Sequence, residues 1–238
     1  MAVGLAAYGR HIATAVGGLV DEWNDVVMCS GGYKSRYKNM VVPLRPIATS
    51  VAPKLAEHLV RFYGTTNRWS LWDVFPDDLS NIGFTAQDWS PIMERTDERV
   101  LDTPYCPGLS IQEVVDDAGV RVFERTREFA YGRTVSEDSA GGYLDARVLS
   151  NELRLWVGYQ DAQPVGTAAL FEHQGLSMVK NVSTLPAFRG CGIGKYMSIY
   201  AINACANNPL LDADLPARQL YVRLGFQEIG KVKFWLLN

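Results

Sequence analysis

Arg189, Gly190, Cys191, Gly192, Ile193, Gly194 and Lys195 follow one another without a break, and Tyr221 lies a short distance downstream. Three glycines in five residues let a ligand approach the backbone closely. Arg189 and Lys195 add two positive charges. If a helix opens on this run, its first turn supplies unpaired N–H groups and a partial positive charge. That combination suits a pyrophosphate. Without the helix, the run is an ordinary glycine-rich loop.

The flanking residues supply the elements that would position it. Leu176 to Thr184 reads as a strand, and Pro186 closes off the extended chain. From Ile193 the apolar period changes: Ile193, Met197, Ala201, Ala204 and Cys205 share one helical face. Asn207-Asn208-Pro209 ends that helix. A strand therefore feeds a glycine turn that opens a helix.

Three phosphate-binding patterns share this outline. A P-loop needs G-x-x-x-x-G-K-[ST]. Gly190 to Gly194 is one residue short of that, and Tyr196 stands where a magnesium-binding Ser or Thr belongs. A dinucleotide turn needs G-x-G-x-x-G. The chain has G-x-G-x-G, and although Asp212 lies near the spacing of a ribose-binding acid, too little chain follows for that sheet. The pattern [QR]-x-x-G-x-[GA] is matched in full by Arg189, Gly192 and Gly194. It resembles the acetyl-CoA signature of the GNAT superfamily of N-acetyltransferases. Leu220-Tyr221-Val222-Arg223-Leu224-Gly225-Phe226 is similar to the L-Y-x-x-L-G-F segment that follows the signature in that superfamily, and at the expected distance. The resemblance covers roughly Leu109 to Trp235.

The resemblance implies an α/β (α+β) fold, with a mixed, mostly antiparallel sheet flanked by helices. It implies acetyl-CoA as acyl donor. The backbone of Val182, Ser183 and Thr184 would pair with the pantetheine arm, and one of its N–H groups would polarise the thioester carbonyl. Arg189 and the N–H groups of Gly190, Cys191, Gly192, Ile193, Gly194 and Lys195 would hold the pyrophosphate. Tyr221 would be the general acid. Asp214 departs from the Asn or Ser of many members; it could contact the donor arm or cap the helix opening at Pro216, and the cap is preferred. Cys191 has no histidine placed to activate it, which favours direct transfer over an acyl-enzyme. Glu172 and His173 read as a solvated turn, and Glu124 and Glu128 as solvent-facing, so the general base is unassigned. The acceptor implied is a small amine. Transfer of a larger acyl group, and a non-catalytic acyl-CoA sensor, are the competing readings.

Composition agrees with a globular chain and narrows its partners. Of 238 residues, 47% are hydrophobic and 21% charged, and the formal net charge is -3, so nothing here is basic enough to point to nucleic acid as the main partner. Four scattered cysteines and three histidines form no metal-ligand spacing and suit a reducing cytoplasm. The apolar N-terminus lacks a basic leader and is broken by Arg10 and His11, so an amphipathic helix is expected, with no membrane span. A homodimeric assembly is left open.

In chain order, the pattern predicts a helix over 2–20 ended by Gly17-Gly18 or soon after, an apolar run at 26–29, a strand over 38–44 and a helix over 50–63 capped by Ser50. A strand over 69–75 follows, then a short helix ended by Gly83-Phe84, and a strand over 89–95. Thr96 to Pro107 reads as a linker. A strand over 109–115, a helix over 116–131, a polar loop with a short helix over 134–148 and a three-strand meander over 153–184 lead into the glycine turn. Strand 210–213, helix 216–224 and strand 232–236 close the chain. Asn81-Ile82-Gly83-Phe84 echoes Val222-Arg223-Leu224-Gly225-Phe226, so residues 1–105 are expected to be a degenerate GNAT-like half and 106–238 the acetyltransferase domain.

Overall fold

The computed structural model describes residues 1–32, 38–64, 69–97, 99–103, 106–133 and 144–237. They pack as two compact units, Met1–Ile92 with Ile229–Asn238, and Met93–Glu228. The elements in chain order are α1 (Ala2–Ala15), β1 (Leu19–Trp23), β2 (Val26–Ser30), β3 (Met40–Pro43), α2 (Ala52–Tyr63), β4 (Ser70–Asp73) and β5 (Phe84–Glu94). Then come β6 (Leu109–Glu113), α3 (Asp117–Ala130), β7 (Leu153–Gln160), β8 (Gln163–His173), β9 (Leu176–Thr184), α4 (Ile193–Asn203), β10 (Pro209–Asp212), α5 (Arg218–Arg223) and β11 (Gln227–Leu237). No helix among the described residues is long and apolar enough to cross a membrane.

In the first unit the strands lie in the order β1-β2-β3-β4-β11-β5. β1, β2 and β3 form an antiparallel meander, β4 joins β3 in parallel, and β11 runs antiparallel to β4. The helix expected to end at Gly17-Gly18 or soon after is shorter. It stops at Ala15, and Leu19 and Val20 belong to β1. Gly18 sits so tightly in this corner that a Cβ would fall 2.1 Å from the Ser30 carbonyl oxygen. Asn24 and Asp25, both at positive φ (50° and 62°), make the two-residue hairpin turn into β2. Ser50 does not cap α2: Val51 holds the cap position without a side-chain bond, and Pro53 in the first turn presets the backbone. The core gathers Val41, Leu55, Leu59, Trp69, Leu71 and Phe84.

One residue of this unit makes stability depend on pH. Asp73 ends β4 at 2% exposure. Its Oδ1 accepts from the Phe75 N–H at 3.0 Å, while Oδ2 has no hydrogen-bond partner among the described residues. Burial raises its carboxyl from 3.8 to about 6, with Asp77 adding to the rise, and the Phe75 N–H and Lys233 opposing it. A carboxyl with a raised folded-state pKa keeps its proton longer when folded, so stability falls as pH rises from about 4 through about 6. The shift corresponds to a ceiling of about 3 kcal/mol. Asp73→Asn is expected to stabilise the chain by about 1–3 kcal/mol at pH 7.5 and to change little at pH 4. Urea unfolding at both pH values checks this. Equal stability of the two proteins at pH 7.5 would show that Asp73 carries no such penalty.

In the second unit the order is β10-β9-β8-β7-β6. β6 to β9 pair antiparallel in succession and β10 joins β9 in parallel. Asp161 and Ala162 turn β7 into β8 at positive φ. α3 starts where expected, with Asp116 accepting from the Gly119 N–H at 2.7 Å. Pro209 was expected only as a breaker, yet it is also the first residue of β10, where a missing N–H costs no ladder bond. The helix expected at 216–224 divides into a 3-10 turn (Leu215–Ala217) and α5. Of the polar loop over 134–148, residues 134–143 lie outside those described, and Ala146–Val148 form a 3-10 turn. Ile193, Met197 and Ala201 of α4 pack with Trp156, Leu170 and Val179 in this unit's core.

Candidate active site

β9 spans the residues the sequence marks as a strand, Leu176–Thr184, and its two edges differ. Along one edge it pairs with β8 as far as Thr184. Along the other it pairs with β10 only at Ser177 and Met178, opposite Pro209 and Leu210. Beyond that point no strand among the described residues covers Val182, Ser183 and Thr184. Their outward N–H and C=O groups form an open edge at the mouth of a splay, which an extended ligand can join like an added strand.

A bulge shapes this edge. The β8–β9 register shifts between Thr167 and Ala169. Asn181 absorbs the extra residue at φ 52°, a left-handed conformation that Asn tolerates. The buried Thr167 hydroxyl donates to the Asn181 carbonyl at 2.7 Å, and it lies 2.7 Å from the Ser183 hydroxyl. Thr167 and Asn181 thus set the aim of the Val182 N–H. Sequence reading missed both. Asn181, a residue that tolerates the left-handed region, in the middle of a strand was the available signal.

The chain leaves β9 through the turn Pro186–Phe188 and enters α4 at Gly192. Gly190 and Gly192 take φ 81° and 85°. No side chain caps α4, and its first backbone bond is from Tyr196 N–H to the Gly192 carbonyl at 3.0 Å. The N–H groups of Ile193, Gly194 and Lys195 precede that bond and remain for an anion. Gly194 lets the first helical turn approach β9; a Cβ there would lie 3.2 Å from Thr184 Oγ1. Lys195 is exposed on that turn. Arg189 works differently from a bare phosphate cation: its guanidinium donates to the carbonyls of Thr184 (3.3 Å) and Ala130. It ties the loop to the C-terminal end of α3, where a cation is favoured. Cys191 is exposed, with its thiol turned back to the Arg189 carbonyl at 3.8 Å.

Tyr221 on α5 is buried in the same unit, its ring edge-on to Phe226 at 5.6 Å. Burial pushes its phenol up to about 12; the Asp214 and Asp212 carboxylates add to the rise, and the Ser198 hydroxyl opposes it. Asp214 stands at the cap position of the 3-10 turn, but its side chain makes no cap bond, so the preferred cap reading does not hold. Its charge acts instead on Tyr221, and on Tyr131 at the end of α3. Lys180 and Asp212 are joined as an ion pair in the splay, which the sequence did not suggest.

Two further expectations change. Glu124 does not face solvent: it is fully buried and pairs with Arg127 at 3.0 Å, while Glu128 meets Arg127 at 2.8 Å. Glu172 and His173 end β8 rather than lie on a turn. Glu172 Oε1 accepts from the Ser177 hydroxyl and the Ala206 N–H, both at 2.8 Å, and His173 pairs with Glu152 at 2.8 Å. These contacts pin the strand end to the segment after α4.

Residues 151–228 match the family model described as acetyltransferase (GNAT) domain. A GCN5-related N-acetyltransferase from Kribbella flavida is 18% identical, with a TM-score of 0.69 over 98% of this chain and 95% of that one. A putative acetyltransferase from the GNAT family from Novosphingobium aromaticivorans is 18% identical, with a TM-score of 0.60 over 97% of each chain. A GCN5-related N-acetyltransferase-like protein from Streptococcus suis is 16% identical, with a TM-score of 0.59 over the full length of both. At these identities the likeness is one of fold. No curated protein matches the chain in sequence.

Proposed function

Because residues 151–228 match the acetyltransferase (GNAT) domain model, we propose that the chain moves the acetyl group of acetyl-CoA directly to the amine of a small molecule. The observation that carries this reading is the splay of β9 from β10, an open strand edge that runs into the uncapped N-terminus of α4 in the unit that also buries Tyr221. The pyrophosphate rests on the N–H groups of Gly190 to Lys195. The pantetheine arm pairs with Val182, Ser183 and Thr184. The Val182 N–H polarises the thioester carbonyl and holds the oxyanion that forms on attack. The neutral amine adds to the carbonyl carbon, its nitrogen gives up a proton to water, and the C–S bond breaks. The Tyr221 hydroxyl protonates the departing sulfur and is reprotonated from solvent.

Residues 1–105 are, in this reading, a degenerate repeat of the same fold. Each unit runs helix, three-strand antiparallel meander, helix, and a strand parallel to the third. The first lacks the glycine signature and binds no CoA. The four free cysteines suit a reducing cytoplasm.

The test is a panel of small amines with acetyl-CoA, read by release of free thiol. Turnover with at least one amine, giving the N-acetyl product, is expected. Tight CoA binding without turnover on any amine would make the protein an acyl-CoA sensor instead.

A further inference from the structure

β9 and β10 share two parallel rungs, Ser177 opposite Pro209 and Met178 opposite Leu210. Carried two residues further, the same register sets Lys180 opposite Asp212. The strands have parted there, and the side chains close the gap: Lys180 Nζ donates to Asp212 Oδ1. Both are withdrawn from water, with side-chain exposures of 7% and 13%. A buried ion pair does no better on average than well-packed apolar residues, so stability alone is a weak reason for it. Its place in the splay supplies another. Val179 and Leu211, one residue back on each strand, face the core around Ile193 and Met197. Lys180 and Asp212 therefore bridge on the opposite face of the sheet.

We propose that the Lys180–Asp212 pair is the floor of the acyl pocket and restricts the donor to a short acyl group. This rests on reading the splay as the thioester-arm cleft. The pyrophosphate end is held at the N-terminus of α4, beyond Thr184. A donor laid along Thr184, Ser183 and Val182 points toward the closed end of the splay, and its acyl carbons arrive last, against the crossbar. Each added methylene has to displace a buried, charge-paired lysine stem. The first unit shows the contrast. β3 and β4 have the same parallel rungs, Met40 opposite Ser70 and Val41 opposite Leu71. Two residues on, that register sets Pro43 opposite Asp73. Proline carries no cation, so the unit without the glycine signature has no crossbar.

The experiment is calorimetry of the full chain with CoA, acetyl-CoA and butyryl-CoA, which needs no knowledge of the acceptor. The unsubstituted protein is expected to bind acetyl-CoA at least roughly 10-fold more tightly than butyryl-CoA, the scale of methylene discrimination in a closed pocket. Lys180→Ala with Asp212→Ala shortens both arms and strands no buried charge; it is expected to erase the preference by gaining butyryl-CoA affinity. Lys180→Met with Asp212→Asn removes the charges but keeps the reach, and should retain the preference. Equal binding of the two esters by the unsubstituted protein overturns the proposal, even if the shortened variant fails to fold. So does a preference that survives shortening. Failure to bind any of the three compounds, CoA included, overturns the donor-site reading itself.

Discussion

Tyr221→Phe is expected to lower kcat at least roughly 10-fold while leaving acetyl-CoA affinity little changed. The substitution removes the hydroxyl and keeps the ring that packs against Phe226. In water a thiol near 8.5 and a phenol near 10 already leave the phenol protonated at neutral pH. Here burial raises the phenol to about 12, which alone would make it a poor acid for a thiolate. In the proposed reaction the sulfur would leave inside the same protein interior, however, and the charged form of any buried thiol is disfavoured too. Cys205 illustrates the size of that effect in this unit, its thiol pushed up to about 12 by burial. Donor and acceptor are thus brought back into range as the thiolate forms. The sign of the pH dependence follows. Tyr221 holds its proton below about 12, so its ionisation should impose no decline in rate between pH 7 and 10. A decline there that disappears in the Phe variant would place its pKa far lower. An unaltered kcat with a good acceptor, chemistry being rate-limiting, would show that Tyr221 is not the acid.

What the sequence shows of this site is what neighbouring residues decide. The end of β9, the turn at Pro186 and the opening of α4 at Gly192 are set by proline geometry, glycine φ and a change of apolar period, all within one short stretch. Asp116 capping α3 is equally local. The parts that escape a sequence reading depend on partners far along the chain. The bulge at Asn181 needs Thr167 on the neighbouring strand. The Lys180–Asp212 pair needs a parallel register between strands separated by a whole helix. Glu124 looks solvent-facing until Arg127, one turn further along α3, neutralises it inside. β1 is missed because its buried face is slight: Leu19 is 63% exposed, so no alternation marks it.

Gly192→Val is expected to weaken acetyl-CoA binding by roughly 100-fold or more, while the fold survives. Two effects combine. The residue sits at φ 85° as the N-cap of α4, and a side chain in the left-handed region costs about 1–2 kcal/mol, more when β-branched. Strain of that size is itself worth roughly 5- to 30-fold if the loop relaxes away from its binding conformation. The new side chain also occupies the space in front of the N–H groups that, in the proposed site, receive the pyrophosphate. A Cβ at Gly192 meets nothing within 4 Å, so no packing clash threatens folding. Gly83 provides the control. It also has a left-handed φ, 91°, and an open Cβ position, but it lies in the first unit. Gly83→Val should therefore lose similar stability in thermal unfolding and keep its affinity in calorimetry. If both variants lose binding alike, general destabilisation is the cause. If Gly192→Val binds acetyl-CoA as the unsubstituted protein does, the pyrophosphate does not rest on this turn.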